Sequence, residues 1–291
     1  MRINLKKIIF IVLGLFIVIL LFNIKDLNIK LIGSNTKIEE ASENKELKVI
    51  TQCRIISSVT VRKGDSSSDD ALGKLSEGDK VDIVEDASNG WYKIKYKDGY
   101  GYILKKYAIA ILDKFLFVGD SYTDLLRSTI EANASDTIIR AKSGCYPSYW
   151  LDNFDKMPNP SKVEGVCLLI GVNGMDEGYY KTNVKDTEIL IKKLSNKYSN
   201  KEIYVQKVFP LGDNYPKVKH KIKLISEFNQ EIQDYCKTMP NVEVIDTTEG
   251  LVDDDGYLKY HDSDGIHIKY DKYDKFFNNI GREILKGTLK K

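Results

Sequence analysis

From Lys114 onward the chain alternates short, almost wholly apolar runs with longer segments of helical periodicity. No other feature constrains its fold as much. The apolar runs are 115–118, 137–140, 166–170, 203–208 and 242–245, the last two carrying more polar positions. Near-continuous hydrophobic strands are what a sheet covered on both faces requires. Between them Leu190, Leu194 and Tyr198, and then Leu224, Phe228, Ile232 and Tyr235, recur at the spacings of an amphipathic helix. Strand–helix alternation over about 175 residues predicts an α/β domain at 114–291, a three-layer αβα sandwich around a parallel five-stranded sheet.

The texture before Lys114 differs. Residues 59–61, 80–84, 91–96 and 100–104 read as short strands, separated by Gly64-Asp65, Gly78-Asp79, Asn89-Gly90 and Asp98-Gly99. Asn-Gly and Asp-Gly between alternating runs are strong hairpin signals, so 49–110 is predicted to be a small all-β barrel. At the other extreme, residues 8–22 contain no polar side chain and follow Arg2, Lys6 and Lys7. No small-residue cleavage pattern follows, since no Ala occurs before Ala41. The segment 1–30 is therefore expected to be an uncleaved transmembrane helix, with 31–48 as a linker and the rest of the chain extracytoplasmic. Lys and Arg total 44 against 42 Asp and Glu, well interspersed, which gives no electrostatic footprint for nucleic acid. Cys53, Cys145, Cys167 and Cys236 lack paired or metal-like spacing and are expected as buried free thiols.

In open parallel sheets the site lies at the carboxyl ends of the strands. Gly119-Asp120-Ser121, Ser143-Gly144 and Gly171-Val172-Asn173 follow the first three strands, and Asp264-Gly265-Ile266-His267 precedes the last helix. Singly, each has an ordinary explanation: Ser121 as a helix cap, Asp264-Gly265 as a turn, Asn173 as a loop residue. Together they contain what acyl transfer needs. His267 can take the proton that makes Ser121 nucleophilic, and Asp264 can hold the useful imidazole tautomer. The backbone N–H groups of Ser121 and Gly144 and the Asn173 amide can stabilise an oxyanion. A Gly-x-Ser-x-Gly elbow is disfavoured by Thr123 in the last position. His261 has Leu258 where the orienting Asp would stand, and His220 falls in a lysine-rich stretch, predicted solvated. Asp253, Asp254, Asp255, Asp262 and Asp264 do not have calcium-loop spacing, so no metal and no cofactor is expected.

Two resemblances follow. Val59-Thr60-Val61-Arg62-Lys63-Gly64, Gly78-Asp79-Lys80-Val81, Asn89-Gly90-Trp91-Tyr92 and Gly101-Tyr102-Ile103 resemble the bacterial SH3-like domain of cell-wall proteins. That resemblance implies peptidoglycan binding; the alternative is that Trp91 and the tyrosines simply fill the barrel. Residues 115–288 resemble the SGNH (GDSL) hydrolases through Gly119-Asp120-Ser121, Gly144, Gly171-Val172-Asn173 and Asp264-Gly265-Ile266-His267. The resemblance implies a flavodoxin-like sheet, Ser121 as nucleophile, Asp264 and His267 as its partners, and Gly144 and Asn173 in the oxyanion hole. One departure is Gly174, where the family usually has Asp; Asp176 comes two residues later. The expectation is a membrane-anchored serine esterase acting on small acyl esters, with O-acetyl groups on cell-wall glycan or peptidoglycan favoured. A broad lipase-like esterase, an O-acyltransferase and a non-catalytic wall-binding protein are the alternatives.

Overall fold

The computed structural model describes residues 46–87 and 89–291. The expected membrane anchor and nearly all of the linker lie outside these residues. Among the described residues no helix is long and apolar enough to cross a membrane. Residues Val49–Lys291 form one compact unit.

The first part of that unit is a seven-stranded antiparallel sheet. Its strands are β1 (Thr51–Ile55), β2 (Val59–Arg62), β3 (Ala71–Leu75), β4 (Lys80–Asp86), β5 (Trp91–Tyr96), β6 (Gly99–Leu104) and β7 (Ala108–Ala110), in the order β3-β2-β6-β5-β4-β1-β7. The Asn-Gly signal works as read: Asn89 and Gly90 both have positive φ, 58° and 81°. The Asp98-Gly99 signal is displaced by one residue. Tyr96 pairs with Gly99 in the β5–β6 register, so Lys97 and Asp98 form the loop, with Lys97 at φ 52°. Trp91 and Tyr92 are buried in the sheet's core rather than displayed on its surface.

The second part begins with β8 (Phe115–Gly119) and continues through β9 (Ile138–Ala141), β10 (Gly165–Leu169), β11 (Glu202–Gln206) and β12 (Val242–Ile245). All neighbours are parallel and the order is β9-β8-β10-β11-β12. The chain steps outward from β8 in both directions, so the order reverses between β8 and β10, and the crevice above those two strands is where such sheets hold ligands. The helices are α1 (Ser121–Leu125), α2 (Arg127–Asn133), α3 (Pro147–Asp152), α4 (Tyr180–Lys197), α5 (Val218–Cys236) and α6 (Tyr273–Leu289).

Strand periodicity sorts the core into two faces. Phe115 and Phe117 of β8, Cys167 and Leu169 of β10 and Tyr204 of β11 join one apolar cluster with Ile130 of α2 and Phe276, Phe277 and Ile280 of α6. Leu116, Val118, Val166, Leu168, Ile203 and Val205 point the other way, into a cluster with Trp150, Leu190, Leu194, Ile225 and Phe228 from α3, α4 and α5. These are the three layers.

The first cluster does not stop at the α/β layers. It runs on through Cys53, Ile55 and Ile109 into the antiparallel sheet. Helix α6 is the shared wall, packed on β7 as well as on β12. Gly281 sits in its interior, where glycine costs roughly 0.5–1 kcal/mol relative to alanine. The reason is contact: a Cβ at Gly281 would stand 2.7 Å from the Ile109 Cβ. Phe276 on the same helix is fully buried and meets Phe209 edge-on, with centroids 5.0 Å apart. Phe276→Ala is expected to cost about 3–5 kcal/mol in guanidinium unfolding, the usual range for emptying an aromatic site in a core; a loss below about 1 kcal/mol would mean the cluster collapses to fill the space.

Candidate active site

Strand β8 ends at Gly119, and the chain turns there into α1. A Cβ at Gly119 would collide with the Thr123 hydroxyl and the Leu169 carbonyl, so only glycine allows the strand end to lie this close to both. The next residue, Asp120, is the N-cap of α1, its carboxylate accepting the Tyr122 N–H at 3.1 Å. Ser121 is therefore not the cap; it occupies the first helical position, and its own N–H has no intrahelical partner. Asp120 is buried, with Oδ2 lacking any hydrogen-bond partner among the described residues. Burial pushes its carboxyl up to about 7, against the pull of the Tyr122 and Gly171 N–H groups.

The four predicted segments converge. Ser121 Oγ lies 2.8 Å from His267 Nε2, although 146 residues separate them. His267 Nδ1 lies 2.6 Å from Asp264 Oδ2. The other Asp264 oxygen accepts the N–H groups of Ile266 at 2.8 Å and of His267 at 3.0 Å. Burial raises the Asp264 carboxyl, but these hydrogen bonds and the imidazole outweigh it and hold the group below its ordinary range. Asp264 thus stays ionised at neutral pH, keeps the proton on Nδ1 and leaves Nε2 free to accept from the serine.

The imidazole is also braced from behind. Tyr122 lies 5.7 Å from the His267 ring, centroid to centroid, and its hydroxyl donates to the Ile266 carbonyl. Phe209 stacks on Tyr122 at 5.4 Å. Rings therefore continue without a break from Phe276 through Phe209 and Tyr122 to the His267 imidazole.

Gly144 and Asn173 are linked to the Gly119–Ser121 turn through hydrogen bonds of their loops. The loop after β9 is tied to the end of β8 by Lys142 N–H and Trp150 Nε1–H, which donate to the Gly119 carbonyl at 3.2 and 3.0 Å. Ser143 Oγ donates to Asp124 on α1 at 2.9 Å. Asn173 Nδ2 donates to the Cys145 carbonyl at 3.0 Å. That bond uses one of the two amide hydrogens and fixes the direction of the other. The Gly144 N–H has no hydrogen-bond partner among the described residues. Three donors of these segments thus have no hydrogen-bond partner among the described residues: the N–H groups of Ser121 and Gly144 and the second Asn173 amide hydrogen. Asn173→Ala is expected to lower kcat on a chromogenic acetyl ester by about 10²–10³-fold with a much smaller change in KM, because the oxyanion exists only after attack. An equal rise in KM with kcat intact would remove Asn173 from the oxyanion hole.

A hollow of about 390 Å³ opens beside Gly144, lined also by Tyr146, Ser148, Tyr149 and Asp152. Tyr146 is partly exposed there and meets Tyr179 edge-on at 4.8 Å.

The remaining candidates fall elsewhere. His261 has an aspartate after all: its Nε2 lies 3.1 Å from Asp213 Oδ1, a partner 48 residues away that local spacing does not reveal. Its Nδ1 faces the Asp262 carbonyl at 2.8 Å. His220 is half exposed, 3.2 Å from Glu177. In the acidic loop Asp253 Oδ1 accepts the Asp255 and Tyr257 N–H groups, the ordinary work of an Asx turn. Among the described residues no group of three or more His, Cys, Asp or Glu side chains is arranged to hold a metal. All four cysteines are buried and unpaired, and burial pushes each thiol up to about 12.

Known proteins match the two parts separately. Residues 57–108 match the family model of the bacterial SH3 domain. A 54-residue stretch is 45% identical to a bacteriocin of Clostridium perfringens, covering 18% of this chain and only 6% of the bacteriocin's length. A Streptococcus pneumonia structure described as a platelet activating factor superposes with a TM-score of 0.51 at 22% identity, over 62% of this chain and 85% of that one. A GDSL-like lipase from Bacteroides thetaiotaomicron gives a TM-score of 0.48 at 16% identity, over 60% of this chain and 87% of the other. At 22% identity the likeness to the first of these is one of fold.

Proposed function

We propose that the chain is a serine ester hydrolase with Ser121 as nucleophile. The observation that carries this reading is the unbroken relay from Ser121 Oγ through both nitrogens of His267 to Asp264, at 2.8 and 2.6 Å. His267 Nε2 takes the serine proton as Oγ attacks the ester carbonyl. The oxyanion forms against the donors of Ser121, Gly144 and Asn173. His267 then returns the proton to the leaving alkoxide, and water, activated by the same imidazole, releases the acid from the acyl-serine. The four raised thiols are protonated at neutral pH and do not compete as nucleophiles.

The favoured substrate is an O-acetyl group on a cell-wall glycan, with the chain held outside the cytoplasm by an N-terminal span and residues 49–110 serving as the wall-binding part. The match to the bacterial SH3 domain supports this setting. So does the hollow beside Gly144, since tyrosine faces are suited to sugar rings and its serine and aspartate to their hydroxyls. With Trp91 and Tyr92 buried, wall contact falls to other residues of that sheet. The test is acetate release from O-acetylated peptidoglycan by the full chain. Release that disappears in Ser121→Ala supports the reading. Cleavage of chromogenic esters without any release from wall polymer removes the substrate and leaves the chemistry.

A further inference from the structure

Lined by none of the triad residues, a cleft of about 510 Å³ is enclosed by the antiparallel sheet and helix α6. Six of its lining side chains are cationic: Lys105 and Lys106 from the turn after β6, and Lys275, Arg282, Lys286 and Lys290 from α6 and its C-cap. Only two are acidic, Asp86 and Glu249. Asp86 pairs with Lys105, and outside the lining Glu283 pairs with Lys286. Among the described residues no carboxylate pairs with Lys106, Lys275 or Arg282. The negative end of the α6 dipole accounts for cations at Lys286 and Lys290. It does not account for Lys275 in the first turn, or for Lys105 and Lys106 arriving from another element.

The arrangement is linear. Lys275, Arg282, Lys286 and Lys290 are separated by seven, four and four positions, so they share one helix face. At a rise of about 1.5 Å per residue the row is roughly 22 Å long. A single small anion would use one end of it.

The donor type narrows the class further. A free guanidinium fork grips carboxylate and phosphate alike, whereas lysine serves phosphate as a point charge. The Arg282 fork is partly engaged, Nη1 donating to Asn279 Oδ1 at 3.0 Å and Nη2 to the Lys106 carbonyl at 3.3 Å, while its Nε–H is buried without a partner among the described residues. Five of the six cations are ammonium groups, point charges of the kind that bind phosphate oxygens.

We infer that this cleft binds a linear phosphodiester polymer. Tyr92, the aromatic residue of the lining, is buried in the sheet, so no face is offered for nucleobase stacking. The ligand is held through its backbone charge.

The probe is a short linear inorganic polyphosphate, titrated calorimetrically against the full chain at low and rising salt. Lys106→Gln/Lys275→Gln is compared with Lys185→Gln/Lys192→Gln, which removes the same charge from exposed positions on α4. The cleft pair is expected to weaken binding at least about tenfold and to reduce the slope of log K against log salt by about 1.4, two contacts at about 0.7 each. The α4 pair is expected to stay within about twofold. Hydrolysis of a small ester is expected to be the same in both, so that lost binding is not lost folding. No binding by the wild type at low salt overturns the inference, as does an equal loss in the two pairs. Polyglutamate binding as tightly as polyphosphate overturns the phosphate assignment. An oligothymidylate binding more tightly than polyphosphate at equal charge overturns the backbone-only mode.

Discussion

Ser121→Ala is expected to lower turnover on a small acyl ester by about 10⁵–10⁶-fold while changing unfolding free energy by less than about 1 kcal/mol. The two halves of this expectation come from the same geometry. The hydroxyl is hydrogen-bonded to His267 Nε2, on the site side of α1, while the cap that holds the helix in place is the neighbouring Asp120. Removing Oγ takes away the attacking atom and leaves the turn intact. His267→Ala should cost nearly as much, and the double variant little more than either, because nucleophile and base act in one step. A fluorophosphonate probe gives an independent reading: it labels Ser121 in the wild type and loses its reactivity in His267→Ala. Equal labelling in both would show that the imidazole is not the base.

The second large effect concerns stability. Asp120 holds its proton up to about pH 7 in the folded chain, while in the unfolded chain it ionises near its ordinary 3.8. Between those values the folded state binds more protons than the unfolded one. Stability therefore falls as pH rises through this window, by about 1.4 kcal/mol per pH unit and about 4 kcal/mol in all, and the contribution is flat above it. Asp120→Asn abolishes the titration while keeping an oxygen for the Tyr122 N–H. Guanidinium unfolding of the two proteins at pH 5 and pH 8 isolates the residue, since Tyr122 and Cys145, the groups its charge acts on, are both raised far above this window. The asparagine form should gain on the wild type as pH rises. Parallel curves would show that the carboxylate is solvated or paired after all.

Much of this was legible in the chain because the signals were local or chemically specific. The five parallel strands stand out because both faces are covered, so hardly any polar residue interrupts Phe115, Leu116, Phe117 and Val118 or their counterparts. Ser121, Asp264 and His267 stand out because only one kind of chemistry uses them together. Strands β1, β3 and β7 were missed for physical reasons. Ala71–Leu75 is mostly exposed and carries no apolar alternation, and Ala108–Ala110 is too short to show any. Capping by Asp120 was missed because Ser and Asp are equally good caps and stand side by side. The His261–Asp213 pair and the basic cleft were invisible for another reason. Their members are brought together from distant segments by the tertiary fold, and a balanced overall charge hides a local excess.

The apolar cluster that passes from the parallel sheet through α6 into β1 and β7 bears on how this molecule can melt and how it can be rearranged. Ile109 fits against Gly281, and Cys53 and Ile55 belong to the same cluster as Phe276 and Phe277. Neither sheet can be peeled away without exposing the other's core to water. A calorimetric scan of residues 49–291 should therefore give one endotherm rather than two. The bacterial SH3-like part is not an interchangeable cassette here: lifted out and grafted elsewhere, it would carry an unsealed oily flank and leave another behind.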